Sequence, residues 1–87
     1  MTDALTDELR RQIADQDRTI LGAVNARLRL VAALRAHKTQ TERAFVDREQ
    51  EQRLLQALVN ANDGPLSQAG VRRLFEDILA LTKRELG

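Results

Sequence analysis

The chain has no cysteine, no tryptophan and no tyrosine, and only one proline, one histidine and two phenylalanines in 87 residues. Without cysteine, neither a disulfide nor a thiolate metal site can staple so short a chain. A single histidine without clustered carboxylates makes a metal centre a poor expectation. No apolar run approaches the roughly 20 residues that a membrane-spanning helix needs. The opening Met1-Thr2-Asp3-Ala4 lacks the basic and apolar regions of a signal peptide, so a cytoplasmic chain is expected. Fourteen Lys and Arg against thirteen Asp and Glu leave a net charge of +1, spread along the chain, which argues against a dedicated nucleic-acid surface. The length allows one small domain, covering residues 1–87, that is hard to stabilise on its own core.

The apolar 43% is carried by Leu, Ala, Val and Ile, and it recurs with helical spacing. The pattern predicts an all-α fold of three helices, over about 5–38, about 47–60 and about 66–86. Thr6 or Asp7 is the expected cap of the first helix, with acidic residues in its opening turn. No breaker follows until Thr39-Gln40-Thr41, although Gly22 is a weak spot. The second helix carries Leu54, Leu55, Leu58 and Val59 and stops at the turn cluster Asn60-Ala61-Asn62-Asp63-Gly64-Pro65. Ser67 is the expected cap of the third, which places Val71, Leu74, Phe75, Ile78, Leu79 and Thr82 on one side. No strand pattern, internal repeat or low-complexity segment is present.

Two short helices leave apolar surface on a helix of about 30 residues uncovered, and self-association would cover it. In the first helix Leu9, Ile20 and Val31 are spaced by eleven, as are Ile13 and Val24. That is about 3.67 residues per turn rather than the 3.5 of a left-handed coiled coil. A compact, intertwined helical homodimer fits this spacing better than a leucine zipper.

Charges interrupt the apolar stripe. Taking about 100° per residue from Arg27, Ile20 lies near 20°, Ile13 and Val31 near 40°, Val24 near 60° and Leu34 near −20°. Lys38 comes out near 20°, inside the same band and about 16 Å further along the helix. Buried cations are costly unless paired, so the two together point to a pocket for an anion. The second helix repeats the pattern with opposite sign. Asp47 and Glu51 are four apart, and Glu51 precedes Leu54, Leu55 and Leu58 by three, four and seven, which sets it on the apolar face. The third helix places the Thr82 hydroxyl in the core-facing register. Each residue also has a plainer reading alone: Arg27 or Lys38 snorkelling to water, Asp47 as an N-cap, Glu51 as a surface ion-pair partner. Arg10, beside Arg11, reads as a solvated face, and Thr82 as a tolerated core hydroxyl. The segment Ser67-Gln68-Ala69-Gly70-Val71 has the look of a helix-turn-helix entry, but no basic recognition face accompanies it.

Taken together, the spacings resemble a family. Leu9-Arg10-Arg11-Gln12-Ile13 through Asp17 is similar to the opening Leu-Arg-x-x-Ile-x-x-x-Asp of the AroQ-type, all-helical (class II) chorismate mutases. Arg27 follows that Asp by ten residues and Lys38 follows Arg27 by eleven, as in the family. Val46-Asp47-Arg48-Glu49-Gln50-Glu51 with Leu54-Leu55, then Leu74-Phe75 and Thr82, complete the match over nearly the whole chain. The resemblance implies an intertwined homodimer of three-helix protomers with active sites built from both chains. It implies an isomerase that converts chorismate to prephenate by a sigmatropic rearrangement, with no cofactor, in phenylalanine and tyrosine biosynthesis. By the same carry-over Arg10 of the partner chain and Arg27 bind carboxylates and Lys38 faces the ether oxygen. Asp47 and Glu51 meet the substrate hydroxyl and neighbouring cations, and Thr82 meets a carboxylate.

Two positions depart from the family. Gln50 stands where an Arg is usual, and Leu86 where a Gln or Glu reaches the ether oxygen. Glu85 lies about 100° away from that position and takes it over only if the last turn frays. The ending Lys83-Arg84-Glu85-Leu86-Gly87 resembles that of the short actinobacterial intracellular mutases, which implies DAHP synthase as a docking partner that reorganises the C-terminus and raises activity. Related pericyclic activities, isochorismate-pyruvate lyase or aminodeoxychorismate mutase, need the same cations. A non-catalytic helical dimer that regulates a partner enzyme is the reading from another class.

Overall fold

The computed structural model describes residues 3–41 and 48–87, and for residues 38–41 the backbone alone. Three helices make up the described chain: α1 (Ala4–Thr41), α2 (Arg48–Ala61) and α3 (Gln68–Leu86). No strand occurs among the described residues, so the all-α, three-helix expectation is met. Backbone contacts divide the chain into two units, Met1–Leu34 and Arg35–Gly87.

In the first unit the cap is neither Thr6 nor Asp7. The Thr6 N–H donates to Asp3 Oδ1 at 2.6 Å, and the Asp7 N–H donates to the Asp3 carbonyl at 3.2 Å. Ala4 and Leu5 are strong helix formers. The helix therefore runs back past Thr6 to the next side chain that can satisfy an opening amide. Neighbours three or four apart tie the exposed face: Glu8 binds both Arg11 and Gln12, and Asp15 pairs with Arg18 at 3.0 Å. Leu5, Leu9, Ile13, Ile20, Leu30 and Leu34 are all exposed, by 47% to 71%. On the helical wheel they form one band about 100° wide.

The cap makes a pH prediction. The Thr6 backbone amide, donating to Asp3, holds that carboxyl below its ordinary value. A depressed folded pKa means the cap stabilises above the unfolded pKa and is lost as pH falls through the folded one. Acidification below the usual aspartate range should thus fray the first turn of α1, seen as a titrating Thr6 amide resonance. Asp3→Asn keeps an acceptor without the proton, so it should remove that titration; an unchanged titration in Asp3→Asn would assign it elsewhere.

In the second unit α2 and α3 pack antiparallel. Lys83 of α3 meets Glu51 of α2 at 3.1 Å, and Arg72 donates to Gln56 Oε1 at 2.7 Å, so rising α3 numbers face falling α2 numbers. Leu55, Val71 and Thr82 are buried between them, flanked by half-buried Leu54, Leu58, Val59, Phe75, Ile78 and Leu79. The turn is built by one side chain. Asn62 Nδ2 donates to the Leu66 carbonyl at 2.7 Å, while its Oδ1 accepts from the Gly64 N–H at 3.1 Å. Gly64 has φ of 80°, a left-handed conformation that side chains disfavour. Ser67 then caps α3, its Oγ accepting from the Gly70 N–H at 2.9 Å, as its position before the apolar pattern predicts.

The far end of α3 is closed twice. Gly87, with φ of 84°, donates its N–H to the Lys83 carbonyl at 3.1 Å. Arg35, from the last turns of α1, donates Nη1 to the Leu86 carbonyl and Nη2 to the Gly87 carbonyl, each at 2.7 Å.

Candidate active site

The first turn of α2 sorts its polar side chains by face. Glu49 and Gln50 turn outward, both to Arg53: Glu49 Oε2 lies 3.8 Å from Nη1, and Gln50 Oε1 accepts from Nη2 at 3.0 Å. Glu51 is three and four residues before Leu54 and Leu55 and so follows them toward α3. Its side chain is only 26% exposed, and Oε1 meets Lys83 Nζ at 3.1 Å. Asp47, one turn earlier, lies outside the described residues.

On α3 Thr82 is buried, as its core-facing register predicts. Its hydroxyl donates to the Ile78 carbonyl at 2.7 Å, the back-bonding that helices offer a threonine. Donating to a substrate carboxylate requires it to turn away from Ile78. Leu86 is half-buried and Glu85 exposed, with the last turn closed by Gly87. The last turn is not frayed, and fraying is the condition on which Glu85 would take the place of Leu86. Two caps on the final carbonyls, the Gly87 amide and the Arg35 guanidinium, explain why that turn holds.

On α1 Arg27 is half-buried and Arg10 exposed. They are separated by seventeen residues, or about 26 Å along the helix, and by about 100° around it. The backbone of Lys38 is helical, and its side chain lies outside the description. Among the described residues no group of three or more His, Asp or Glu can hold a metal ion, and no helix is long and apolar enough to cross a membrane.

Lys83 and Arg35 are the polar residues that the sequence pattern does not single out. Basic residues in a last turn read as complements to the helix dipole, and nothing along the chain reveals that Lys83 reaches Glu51. Arg35 sits near 80° on the α1 wheel, between stripe and polar face, where no rule assigns it a partner.

The family model for chorismate mutase type II matches residues 9–85, a span that includes Arg10, Arg27, Lys38, Glu51, Thr82 and Glu85. The chain belongs to this family, the all-helical AroQ-type chorismate mutases. No curated protein and no solved structure matches it.

Proposed function

We propose that the protein is a chorismate mutase that rearranges chorismate to prephenate without a cofactor, on the route to phenylalanine and tyrosine. The family match over residues 9–85, a span that contains Arg10, Arg27, Lys38 and Glu51, carries this reading. Chorismate is a dianion that must fold into a compact chair before its bonds exchange. Arg27 and Arg10 grip its two carboxylates and hold that geometry, an orientation effect. As the ether bond breaks, negative charge gathers on its oxygen, and the Lys38 ammonium stabilises the charge where it develops. Asp47 and Glu51 accept from the substrate hydroxyl and neutralise the cations beside them, and the Thr82 hydroxyl, turned from the Ile78 carbonyl, donates to a carboxylate.

The working unit in this reading is a homodimer. Six large aliphatic side chains exposed in one band of α1 are an interface in search of a second copy. Arg10 and Arg27 are too far apart, and aimed too differently, for one helix to bring both to one small dianion. Arg10 therefore serves the site of the partner chain.

Leu86 favours a second element of the reading. A half-buried leucine offers the ether oxygen no donor, so the free protein is a slow mutase, and DAHP synthase docking at Lys83–Gly87 raises its rate. The test follows loss of chorismate absorbance and identifies the product, with and without DAHP synthase; the absence of Trp and Tyr keeps the protein's ultraviolet background low. Prephenate is the expected product, formed faster with the synthase. Turnover of isochorismate or aminodeoxychorismate instead would reassign the activity within the scaffold, and no turnover of any of them would leave a non-catalytic dimer.

A further inference from the structure

We infer that Lys83 is a positioning residue of the proposed site, its ammonium holding the Glu51 carboxylate in place for the substrate hydroxyl; this rests on the chorismate reading above. Most ion pairs described here join neighbours on one helix: Glu8 with Arg11, Asp15 with Arg18, Glu49 with Arg53, Asp77 with Arg73. Lys83 and Glu51 instead bridge α3 and α2 at 3.1 Å, with side-chain exposures of 53% and 26%. Arg53, two residues further along α2, is turned to Glu49 and Gln50.

A carboxylate has two oxygens that accept separately. Lys83 takes Oε1, which leaves Oε2 to accept from a hydroxyl of the ligand. A glutamate without that anchor samples several rotamers, and ordering it when the ligand binds weakens affinity. Lys83 directly follows buried Thr82 on a helix whose last turn is doubly capped, so its backbone is a fixed point from which to hold Glu51. The contact between Glu51 and a hydroxyl exists both before and during bond exchange. Losing its anchor therefore acts on ground state and transition state alike, and shows in KM rather than kcat.

The experiment compares Lys83→Met, Lys83→Arg, Glu51→Gln and the double variant Lys83→Met/Glu51→Gln in the full chain. It measures kcat and KM with chorismate, Kd by calorimetry, and melting temperature. Lys83→Met should raise KM and Kd about three- to ten-fold with kcat nearly kept, and Lys83→Arg should restore most of the affinity. In the Glu51→Gln background, Lys83→Met should change KM by less than about two-fold, because the two act through one contact. Additive effects, or a lowered melting temperature and kcat with KM unchanged, would show a merely structural ion pair and overturn the inference alone. A Glu51→Gln variant with wild-type KM and kcat would remove Glu51 from the substrate and overturn the inference while leaving the chorismate reading intact. Failure of the wild type to bind chorismate in the calorimeter would take both readings down.

Discussion

Replacing Lys38 with alanine should lower kcat for chorismate by about 10²–10³-fold, with helix content unchanged by circular dichroism. The size of the effect follows from when the ammonium acts. The ether oxygen of bound chorismate is nearly neutral and becomes anionic only as its bond to the ring breaks. A cation waiting at that oxygen contributes little to binding and much to the barrier, so KM should move far less than kcat. Arg27→Ala differs in kind. In the proposed site its guanidinium grips a carboxylate that is charged throughout, so its loss should raise KM and also lower kcat, because a dianion held by fewer points spends less time in the compact geometry. Steady-state kinetics of both folded variants decides the matter. Near-normal kcat in Lys38→Ala would refute the assignment of the ammonium to the ether oxygen.

Mixing two inactive variants should restore activity. If Arg10 serves the partner's site, a dimer of one Arg10→Ala chain and one Lys38→Ala chain has one site with both cations and one with neither. Unfolding the two variants together and refolding them at equal concentration makes half of the dimers mixed, each with one intact site of two. Recovered activity should then be about one quarter of wild type, from variants that are each nearly inert. Were Arg10 to act within its own chain, every site in the mixture would carry a defect and nothing would recover. The same samples report the assembly by sedimentation, where a monomer mass would remove the dimer outright.

The three helices are legible because the cues that define them are local. Ser67 caps α3 where its place before Gln68 and the following apolar pattern predicts, and the Asn60–Pro65 cluster falls at the end of α2 and in the turn beyond it. The start of α1 is less legible. Thr6 and Asp7 are as good caps as Asp3 by residue type, and the choice falls to how far Ala4 and Leu5 extend the helix. Glu51 turns toward α3 as its spacing from Leu54 and Leu55 requires, yet its partner there depends on the register of α2 against α3. Periodicity carries no such information. The Thr82 hydroxyl is a similar case. Its burial can be read from spacing, but its preference for the Ile78 carbonyl appears only once the helix is built. The substrate and the roles of Arg10, Arg27, Lys38, Asp47, Glu51, Thr82, Gln50 and Glu85 come from family likeness, the dimer also from the uncovered apolar band of α1, and all stand as proposals.

The grip of Arg35 on the end of α3 also bears on the order in which the chain acquires its structure. Its two hydrogen bonds span 51 and 52 residues, the greatest separations among the polar contacts described here. A chain closes a long loop cheaply only after shorter contacts have brought its ends near. The α2–α3 hairpin is made of nearer neighbours, and its antiparallel packing carries Leu86 and Gly87 back past Glu51 toward the start of α2. Arg35 is therefore expected to join last, capping α3 on a hairpin already formed.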